Sequence, residues 1–388
     1  MSGYIIGTDE AGYGPNLGPL VVSATLWRTP DGMSLEEMEA ALKDVVRRSP
    51  RKDDRKPERP CVADSKVLYK SSGSLAPLER SLFPFLIMLG RPTDSWRTLM
   101  VGLDPKSASV LEASTPLPWH DGFDHALPWA AKPDMIDETT VQLTEDLKAS
   151  GIELLDIRSR LIFPEEFNSL LDHYDSKGAL LSHATLALVA ELTQSINEGK
   201  GDWLGVPDVT VPLSRPDNFT EQTTGPDSEL PAPASQGDAA NKGDRHVASS
   251  EPVPFISSPK HTFQILCDKH GGRNKYRDLL EDHFPDHFIE IRSESRAKSV
   301  YRFGPSSSRY EVRFEMKADS RIPPALASIA SKYLRELAME AENAYWIARR
   351  EGLRPTAGYP QDAKRFVAEI RELIEADGLD RRLYWRER

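Results

Sequence analysis

The 388-residue chain has little cysteine and no apolar run long enough to cross a bilayer. Its two cysteines, Cys61 and Cys267, are too few for a disulfide framework and lack the paired spacing of a zinc site. The densest apolar run, residues 82–89, is short and contains Pro84, whereas a transmembrane helix needs about 20 apolar residues. The first ten residues also lack the basic flank of a secretory signal. These absences favour a cytoplasmic protein that does not enter a membrane.

Positive charge is also scarce, since the formal net charge is −11. Binding to phosphates generally requires an exposed basic surface, so this value taken alone argues against a nucleic-acid partner. Residues 205–258, however, contain eight acidic and three basic side chains and therefore contribute −5 of the total. The remaining sequence includes strongly basic patches, so nucleic acid is not excluded.

Residues 205–259 are rich in Pro, Ser, Gly and Asp and show neither helical nor strand periodicity, which predicts a disordered insertion. The insertion would separate two parts of one domain, residues 1–204 and 260–388. Outside it, the periodicity predicts strands at 4–7, 20–27, 261–267, 288–292 and 309–316, and helices at 35–46, 180–197, 276–283, 323–350 and 361–376. This order indicates an α/β fold with a mixed β-sheet flanked by helices and a helical C-terminal part.

The strongest chemical signal lies in residues 7–19. Two adjacent carboxylates, Asp9 and Glu10, end an apolar strand and lead into a loop with three glycines. Carboxylate oxygens are good Mg²⁺ ligands, and glycine amides can approach a phosphate closely. Successive strand residues point to opposite faces, so both acids can serve one site only where the backbone departs from regular geometry. The alternative is a plain acidic turn between two strands.

Two further acids follow predicted strands. Asp268 comes directly after the strand at 261–267, and Asp319 precedes the long helix that starts at 323. Each alone has the simpler interpretation of a turn residue or a helix N-cap. Together with Asp9 and Glu10, they would form a two-metal centre suited to in-line phosphoryl displacement.

Several motifs, in this order, resemble those of ribonuclease HII, in the prokaryotic type 2 ribonuclease H family. Asp9-Glu10-Ala11-Gly12-x-Gly14, followed by Gly18-Pro19, resembles the opening motif with its first two catalytic carboxylates. Asp268 falls where the family has its third carboxylate, and residues 317–335 resemble the last carboxylate and its Ala/Ser-rich helix. The resemblance covers roughly residues 1–27, 60–75 and 180–375, excluding the insertion.

Two shorter motifs resemble substrate contacts of the same family. Asp64-Ser65-Lys66 is similar to a turn whose lysine lies near the substrate phosphate. Gly358-Tyr359 is similar to a later Gly-Tyr whose tyrosine contacts the substrate strand. The backbone of Gly12-Tyr13-Gly14 corresponds to the segment that recognises the ribose 2′-hydroxyl.

The resemblance implies a ribonuclease H-like fold and a monomeric, metal-dependent endonuclease. Its substrate would be an RNA–DNA hybrid, or duplex DNA cleaved 5′ to an embedded ribonucleotide, and the products would carry a 3′-hydroxyl and a 5′-phosphate. The resemblance also implies that two Mg²⁺ or Mn²⁺ ions are held by Asp9, Glu10, Asp268 and Asp319. Lys66 and Tyr359 would position the strand.

The chain departs from this family at three places. Tyr13 stands where the family commonly has arginine, and the histidine that usually follows the Gly-Tyr motif is not at its expected place. The spacing between Asp268 and Asp319 is unusually long, with 301–310 as added hairpin sequence. Two alternatives therefore remain open: a related metal nuclease acting on DNA junctions or damaged ends, and a catalytically weak nucleic-acid-binding module.

Overall fold

The computed structural model describes residues 2–50, 59–70, 73–107, 117–199 and 261–387. The strands are β1 (Ser2–Ala11), β2 (Leu20–Thr29), β3 (Glu153–Ile162), β4 (His261–Asp268), β5 (Glu290–Glu294), β6 (Lys298–Phe303) and β7 (Ser308–Glu315). The helices are α1 (Leu35–Leu42), α2 (Ser65–Leu68), α3 (Ala76–Met88), α4 (Trp96–Leu103), α5 (Pro133–Ser150), α6 (Pro164–Tyr174), α7 (Lys177–Asn197), α8 (Arg277–His283), α9 (Ile322–Arg349), α10 (Pro360–Glu369), α11 (Arg371–Ala376) and α12 (Arg381–Tyr384). The predicted insertion, 205–259, lies outside the described residues, so the domain boundaries stay a prediction.

The strands form one mixed sheet in the order β3-β2-β1-β4-β7-β6-β5. Strands β1, β2 and β3 are antiparallel neighbours, whereas β4 is parallel to β1 and β7 is parallel to β4. The carboxyl ends of β1, β4 and β7 therefore lie together at one end of the sheet. The predicted α/β fold, with a mixed sheet flanked by helices and a helical C-terminal part, is confirmed.

Each face of the sheet carries its own hydrophobic core, as the alternation along β1 requires. Ile5 belongs to the core beneath α9, together with Val21 and Leu266. Tyr4 and Ile6 belong to the opposite core, beneath α7 and α8. A shift of the register by one residue would exchange these two sets, so the two cores fix the strand alignment.

Helix α9 begins where the prolines at 323 and 324 predict, with proline at its first positions. It packs against β1 and β2, and the approach to β1 is very close at Gly7. A Cβ atom on Gly7 would lie 2.3 Å from the carbonyl carbon of Pro323. Only a glycine in β1 allows the helix to lie this near the sheet.

Among the described helices, α7 has the length and mean hydropathy of a membrane span. Half of that span is buried, and its leucines, including Leu181, Leu188 and Leu192, belong to the core on one face of the sheet. Packing against the sheet therefore accounts for its apolar composition.

Several predicted boundaries differ from the observed ones. Helix α1 ends at Leu42 instead of 46, because Arg47 pairs in extended conformation with the 60–62 segment: its N–H donates to the Pro60 carbonyl at 2.9 Å. Strand β5 starts two residues later than predicted, which leaves Phe288 79% exposed. The last predicted helix is divided into α10 and α11.

The added hairpin is also longer than predicted. Strands β6 and β7 pair in antiparallel fashion from 298 to 315 and enclose the connection at 304–307. Helix α8 and strands β5 and β6 together fill the long spacing between Asp268 and Asp319.

We expect Gly7→Ala to lower the free energy of unfolding by about 1–3 kcal/mol, because the added methyl group must push α9 away from β1. Chemical denaturation monitored by circular dichroism measures the change. Gly14→Ala is the matched control, since a Cβ atom there meets nothing within 4 Å. Equal stability of the two variants would contradict the close-packing argument.

Candidate active site

Asp9 and Asp268 end two adjacent parallel strands at the same level. In the β1–β4 ladder, Thr8 is opposite Cys267, so the next residue of each strand is an aspartate. Aligned residues on neighbouring strands are about 4.8 Å apart and point to the same face. Here it is the face beneath α9, because Ile5 and Leu266 of the same strands lie in that core. Strand pairing therefore brings together two acids that are far apart in sequence.

Serine side chains of α9 hold the end of β1. Ser328 hydrogen-bonds the Asp9 carboxylate, and the Ser331 hydroxyl donates to the Asp9 carbonyl at 3.0 Å. Ser65 lies 3.0 Å from Ser328, between hydroxyl oxygens, and so connects α2 to the same point. The sequence shows an Ala/Ser-rich helix, but only the packing shows which serines face Asp9.

Glu10 remains within the regular β1–β2 ladder, opposite Val22. Its carboxylate nevertheless interacts electrostatically with Asp268 and, more weakly, with Asp319. Burial, followed by repulsion from Asp268, raises the pKa of Glu10 to about 7. Burial and the charge of Glu10 likewise raise the pKa of Asp9 well above its ordinary value.

Asp319 lies in a short 3₁₀ turn, Ala318–Ser320, just before α9. The preceding Lys317 adopts a left-handed conformation with φ 61°, and the Ala318 N–H donates to Asp268 Oδ1 at 3.4 Å. Burial and the charges of Asp64 and Asp268 raise the pKa of Asp319. The structure thus brings Asp9, Glu10, Asp268 and Asp319 within electrostatic range of one another, and we call these four residues the carboxylate cluster.

Lys66 is the cation associated with the carboxylate cluster. It lies in α2, whose N-cap Asp64 accepts a hydrogen bond from the Lys66 N–H at 2.9 Å. Burial lowers the pKa of Lys66, but the charges of Asp64, Asp9, Asp319 and Glu10 outweigh that effect and raise it overall. The side chain is exposed, so its ammonium group can contact a ligand and the acids at once.

The donor chemistry fits a hard divalent cation. No group of three or more His, Cys, Asp or Glu side chains within the described ranges is already arranged to hold a metal ion. The carboxylate cluster nevertheless supplies only oxygen ligands, the type that Mg²⁺ and Mn²⁺ prefer over thiolate or imidazole. Burial and, after it, repulsion between neighbouring carboxylates raise the pKa values of Asp9 and Glu10, and a divalent cation would relieve that repulsion.

Residues 12–18, here called the glycine loop, follow β1 directly. Gly12 has φ +89°, and a Cβ atom there would lie 2.6 Å from the Pro19 carbonyl oxygen, so this position requires glycine. Gly14 is exposed and has open space around it. The Tyr13 hydroxyl lies 3.0 Å from the position of a Cβ atom on Gly271, so its ring turns toward that loop. The exposed Gly14 backbone is therefore accessible to a ligand beside the carboxylate cluster, while the Tyr13 ring lies toward the Gly271 loop and its hydroxyl interacts electrostatically with Glu10.

Tyr359 lies next to the glycine loop. The Gly358 carbonyl accepts hydrogen bonds from the Asn16 and Leu17 N–H groups at 2.8 and 3.3 Å. Tyr359 itself is 52% exposed. The two segments that the sequence predicts to contact a substrate are therefore joined, and an accessible tyrosine stands beside the loop.

Sequence reasoning missed Glu315 and two buried arginines, Arg335 and Arg386. Glu315 is opposite Asp268 in the β4–β7 ladder and lies 3.9 Å from Lys298, between carboxylate oxygen and Nζ. The criterion that selected Asp268, an acid ending an apolar strand, would have found Glu315 with a correct boundary for β7. No local pattern indicates the arginines, because the carbonyl groups that they bind lie far away in sequence.

The solved structures that are similar to this chain include three ribonucleases H. RNase HII from Archaeoglobus fulgidus, in a structure with PCNA, is 12% identical, with 99% of this chain and 94% of that chain covered and a TM-score of 0.33. Ribonuclease H2 from Pyrococcus horikoshii OT3 is 13% identical, with 98% and 92% covered and a TM-score of 0.31. Bst-RNase HIII in complex with Mn²⁺ is 12% identical, with 99% and 65% covered and a TM-score of 0.31.

No protein-family model matches the sequence, and no curated protein sequence matches it significantly. Similarity at the level of these three structures assigns neither family membership nor activity to the chain. The geometry of the carboxylate cluster and the glycine loop has to carry the functional argument.

The raised pKa of Glu10 predicts that the metal-free protein loses stability as the pH rises. Between the ordinary value of 4.5 and about 7, the folded state keeps a proton that the unfolded chain has released. The unfolded state then binds fewer protons, so the free energy of unfolding falls through this range. At pH 8 in a chelator, we expect Glu10→Gln to be more stable than the unaltered protein by on the order of 1–3 kcal/mol.

Denaturation at several pH values measures this effect, and Glu281→Gln, at an exposed ion pair with Arg277, is the control. Added Mg²⁺ should raise the melting temperature of the unaltered protein more than that of Glu10→Gln. Parallel pH profiles for the unaltered protein and Glu10→Gln would contradict the raised pKa.

Proposed function

We propose that the protein is a divalent-metal-dependent endonuclease. It would hydrolyse the RNA strand of RNA–DNA hybrids, or the phosphodiester 5′ to a ribonucleotide embedded in duplex DNA. One observation carries this proposal: Asp9 and Asp268 occupy aligned positions at the ends of adjacent parallel strands, within electrostatic range of Glu10 and Asp319.

The position of the cluster supports a catalytic role over simple binding. Carboxylates repel a phosphodiester, so a pure binding surface gains nothing from gathering four of them beside the glycine loop. A bound divalent cation reverses that repulsion and makes the same acids useful. The ordered motifs that resemble ribonuclease HII add independent support, and the mixed sheet flanked by helices is compatible with the ribonuclease H-like fold that they imply.

The proposed mechanism divides the work among the residues of the site. Asp9, Glu10, Asp268 and Asp319 would hold two Mg²⁺ or Mn²⁺ ions. When bound, such ions activate the attacking water and stabilise the leaving oxygen of an in-line displacement that yields a 3′-hydroxyl and a 5′-phosphate. Ser328 orients the Asp9 carboxylate through its hydrogen bond.

Lys66 and Tyr359 would position the substrate strand. The exposed Lys66 ammonium group can contact a phosphate oxygen while it balances the charge of the cluster.

Because a protonated carboxyl group is a poor metal ligand and the pKa of Glu10 is about 7, metal affinity should fall as the pH drops below that value.

Recognition of ribose would come from the backbone of the glycine loop. The loop follows Asp9 and Glu10 closely and exposes Gly14, so a nucleotide bound there would place its 2′-oxygen near the cleaved bond. A hydroxyl group can both donate and accept hydrogen bonds, which deoxyribose cannot do at that carbon. The backbone can therefore discriminate ribose without contacting any base.

We expect Asp268→Asn and Asp319→Asn to reduce metal-dependent cleavage of a ribonucleotide-containing duplex by about 100-fold or more, because each removes a ligand charge. Duplex affinity should stay the same or rise, since a negative charge near the phosphates is lost. Cleavage and gel-shift assays measure the two effects. Asp172→Asn is the matched control at an exposed ion pair with Arg382.

The same assays compare single-ribonucleotide, continuous-hybrid and all-DNA duplexes of matched sequence. Cleavage of only the ribonucleotide-containing duplexes is the expected result. Equal cleavage of all-DNA duplex would favour a DNA nuclease with the same acids. Binding without metal-dependent cleavage of any duplex would favour a binding module.

A further inference from the structure

The glycine loop is held from its inner side by an arginine that is far away in sequence. Arg386 is 0% exposed, and its Nη2 donates to the carbonyl oxygens of Gly12, at 2.6 Å, and Pro15. Its backbone pairs with Asn16 in both directions: the Arg386 N–H donates to the Asn16 carbonyl and Asn16 Nδ2 donates to the Arg386 carbonyl, each at 2.8 Å. Four hydrogen bonds thus tie one residue to the loop.

Helix α6 fixes the segment that carries Arg386. Asn168 Nδ2 donates to the Trp385 carbonyl, and Asn168 Oδ1 accepts from the Glu387 N–H, each at 2.8 Å. The Arg386 guanidinium lies 4.8 Å from the centre of the Phe167 ring. The arginine is therefore held on both sides and forms a rigid support for the loop.

This support determines which way the loop amides point. In a planar trans peptide, the carbonyl and the next N–H point in opposite directions. Because the Gly12 carbonyl points to a fully buried guanidinium, the Tyr13 N–H points away from the interior. Within the described residues, neither the Tyr13 N–H nor the Gly14 N–H has a hydrogen-bond acceptor. The Arg386 contacts thus direct the Tyr13 N–H outward in the loop that directly follows Asp9 and Glu10, and the exposed Gly14 carries a second unpaired donor.

A second buried arginine reinforces the loop. Arg335, 2% exposed, donates from Nη2 to the Ala357 carbonyl at 2.9 Å and to the Leu17 carbonyl at 3.4 Å. Its Nε atom lies 2.7 Å from the position of a Cβ atom on Gly12. Because Glu336 and the buried Glu342 offset the charge of Arg335, its contribution here is the pair of carbonyl hydrogen bonds that hold the loop and the Tyr359 segment together.

We propose that Arg386 is a positioning residue that orients the glycine-loop amides toward the ribose 2′-hydroxyl and the adjacent phosphate of the substrate strand. This inference rests on the proposed ribonuclease activity. It assigns ribose recognition to an arginine that does not itself touch the substrate.

Two variants test the inference, Arg386→Gln and Arg386→Lys. The control is Arg382→Gln, because Arg382 is exposed and forms an ion pair with Asp172. For Arg386→Gln, we expect KM for single-ribonucleotide duplex to rise about tenfold, with kcat changed much less, because carbonyl hydrogen bonds from a charged donor are lost. The affinity ratio between ribonucleotide-containing and all-DNA duplex should fall in parallel. Arg386→Lys should recover part of the loss, and Arg382→Gln should behave like the unaltered protein.

Hydrogen exchange of residues 11–19 in the free protein provides a second, substrate-independent measurement. Arg386→Gln should speed exchange in this segment by several-fold while the core strands stay protected. If that variant fails to fold, Asn168→Ala frees the segment and keeps the buried charge, and the same changes in exchange and KM are expected.

The outcomes separate the two proposals. Faster exchange with unchanged KM and duplex preference would overturn the positioning role and leave Arg386 a structural residue. Unchanged exchange would overturn the claim that Arg386 orients the loop. Equal cleavage of all duplexes by the unaltered protein would overturn the proposed function and the ribose part of this inference, while the exchange result would still decide the loop part.

Discussion

The carboxylate cluster depends on the parallel pairing of β1 with β4. This pairing aligns Asp9 with Asp268 and, through the β4–β7 ladder, adds Glu315 at the same level. Since both faces of the sheet are covered by apolar cores, the register cannot slip without moving core residues such as Ile5 and Ile6 to the wrong face. The hydrophobic cores thus determine the positions of charged groups that they do not contain.

Gathering acids in this way works against stability. The pKa of Glu10 rises to about 7 because burial and the neighbouring Asp268 both disfavour its charge. The fold compensates locally with Lys66 and with the Ser328 hydrogen bond to Asp9. Unfavourable electrostatic interactions of this kind are common at functional sites, because the groups there are selected for binding a ligand and not for stabilising the fold.

Close approaches of backbone to backbone complete the arrangement. Gly7 lets α9 lie against β1, Gly12 leaves room for Arg335, and the Gly358 carbonyl joins the Tyr359 segment to the glycine loop. Arg335 and Arg386 then link α9 and the 385–387 segment to the same loop. The loop is therefore shaped by several elements that meet only in the folded chain, which explains how a segment with three glycines can hold one conformation.

Local sequence predicted part of the secondary structure and the acids at its ends, but it indicated none of the elements between 76 and 174, among them α5 and β3. Alternation and helical spacing predicted β1, β2, β4, β7, α7 and α9 within a few residues, because period and proline placement are local properties. Asp9, Glu10, Asp268 and Asp319 could be selected because each follows an apolar strand or precedes a helix. The same signals misplaced the end of α1, since pairing between Arg47 and the 60–62 segment overrides helix propensity there.

Only the tertiary structure decided which residues meet. The alignment of Asp9 with Asp268 depends on a register between strands separated by most of the chain, and no local pattern encodes it. Arg386 lies beneath Gly12 for the same reason: α6 and the glycine loop fix its segment through Asn168 and Asn16. The sequence by itself thus determined which groups are available for chemistry, whereas the packing of two cores around one sheet decided their distances, their charges and the direction of the loop amides.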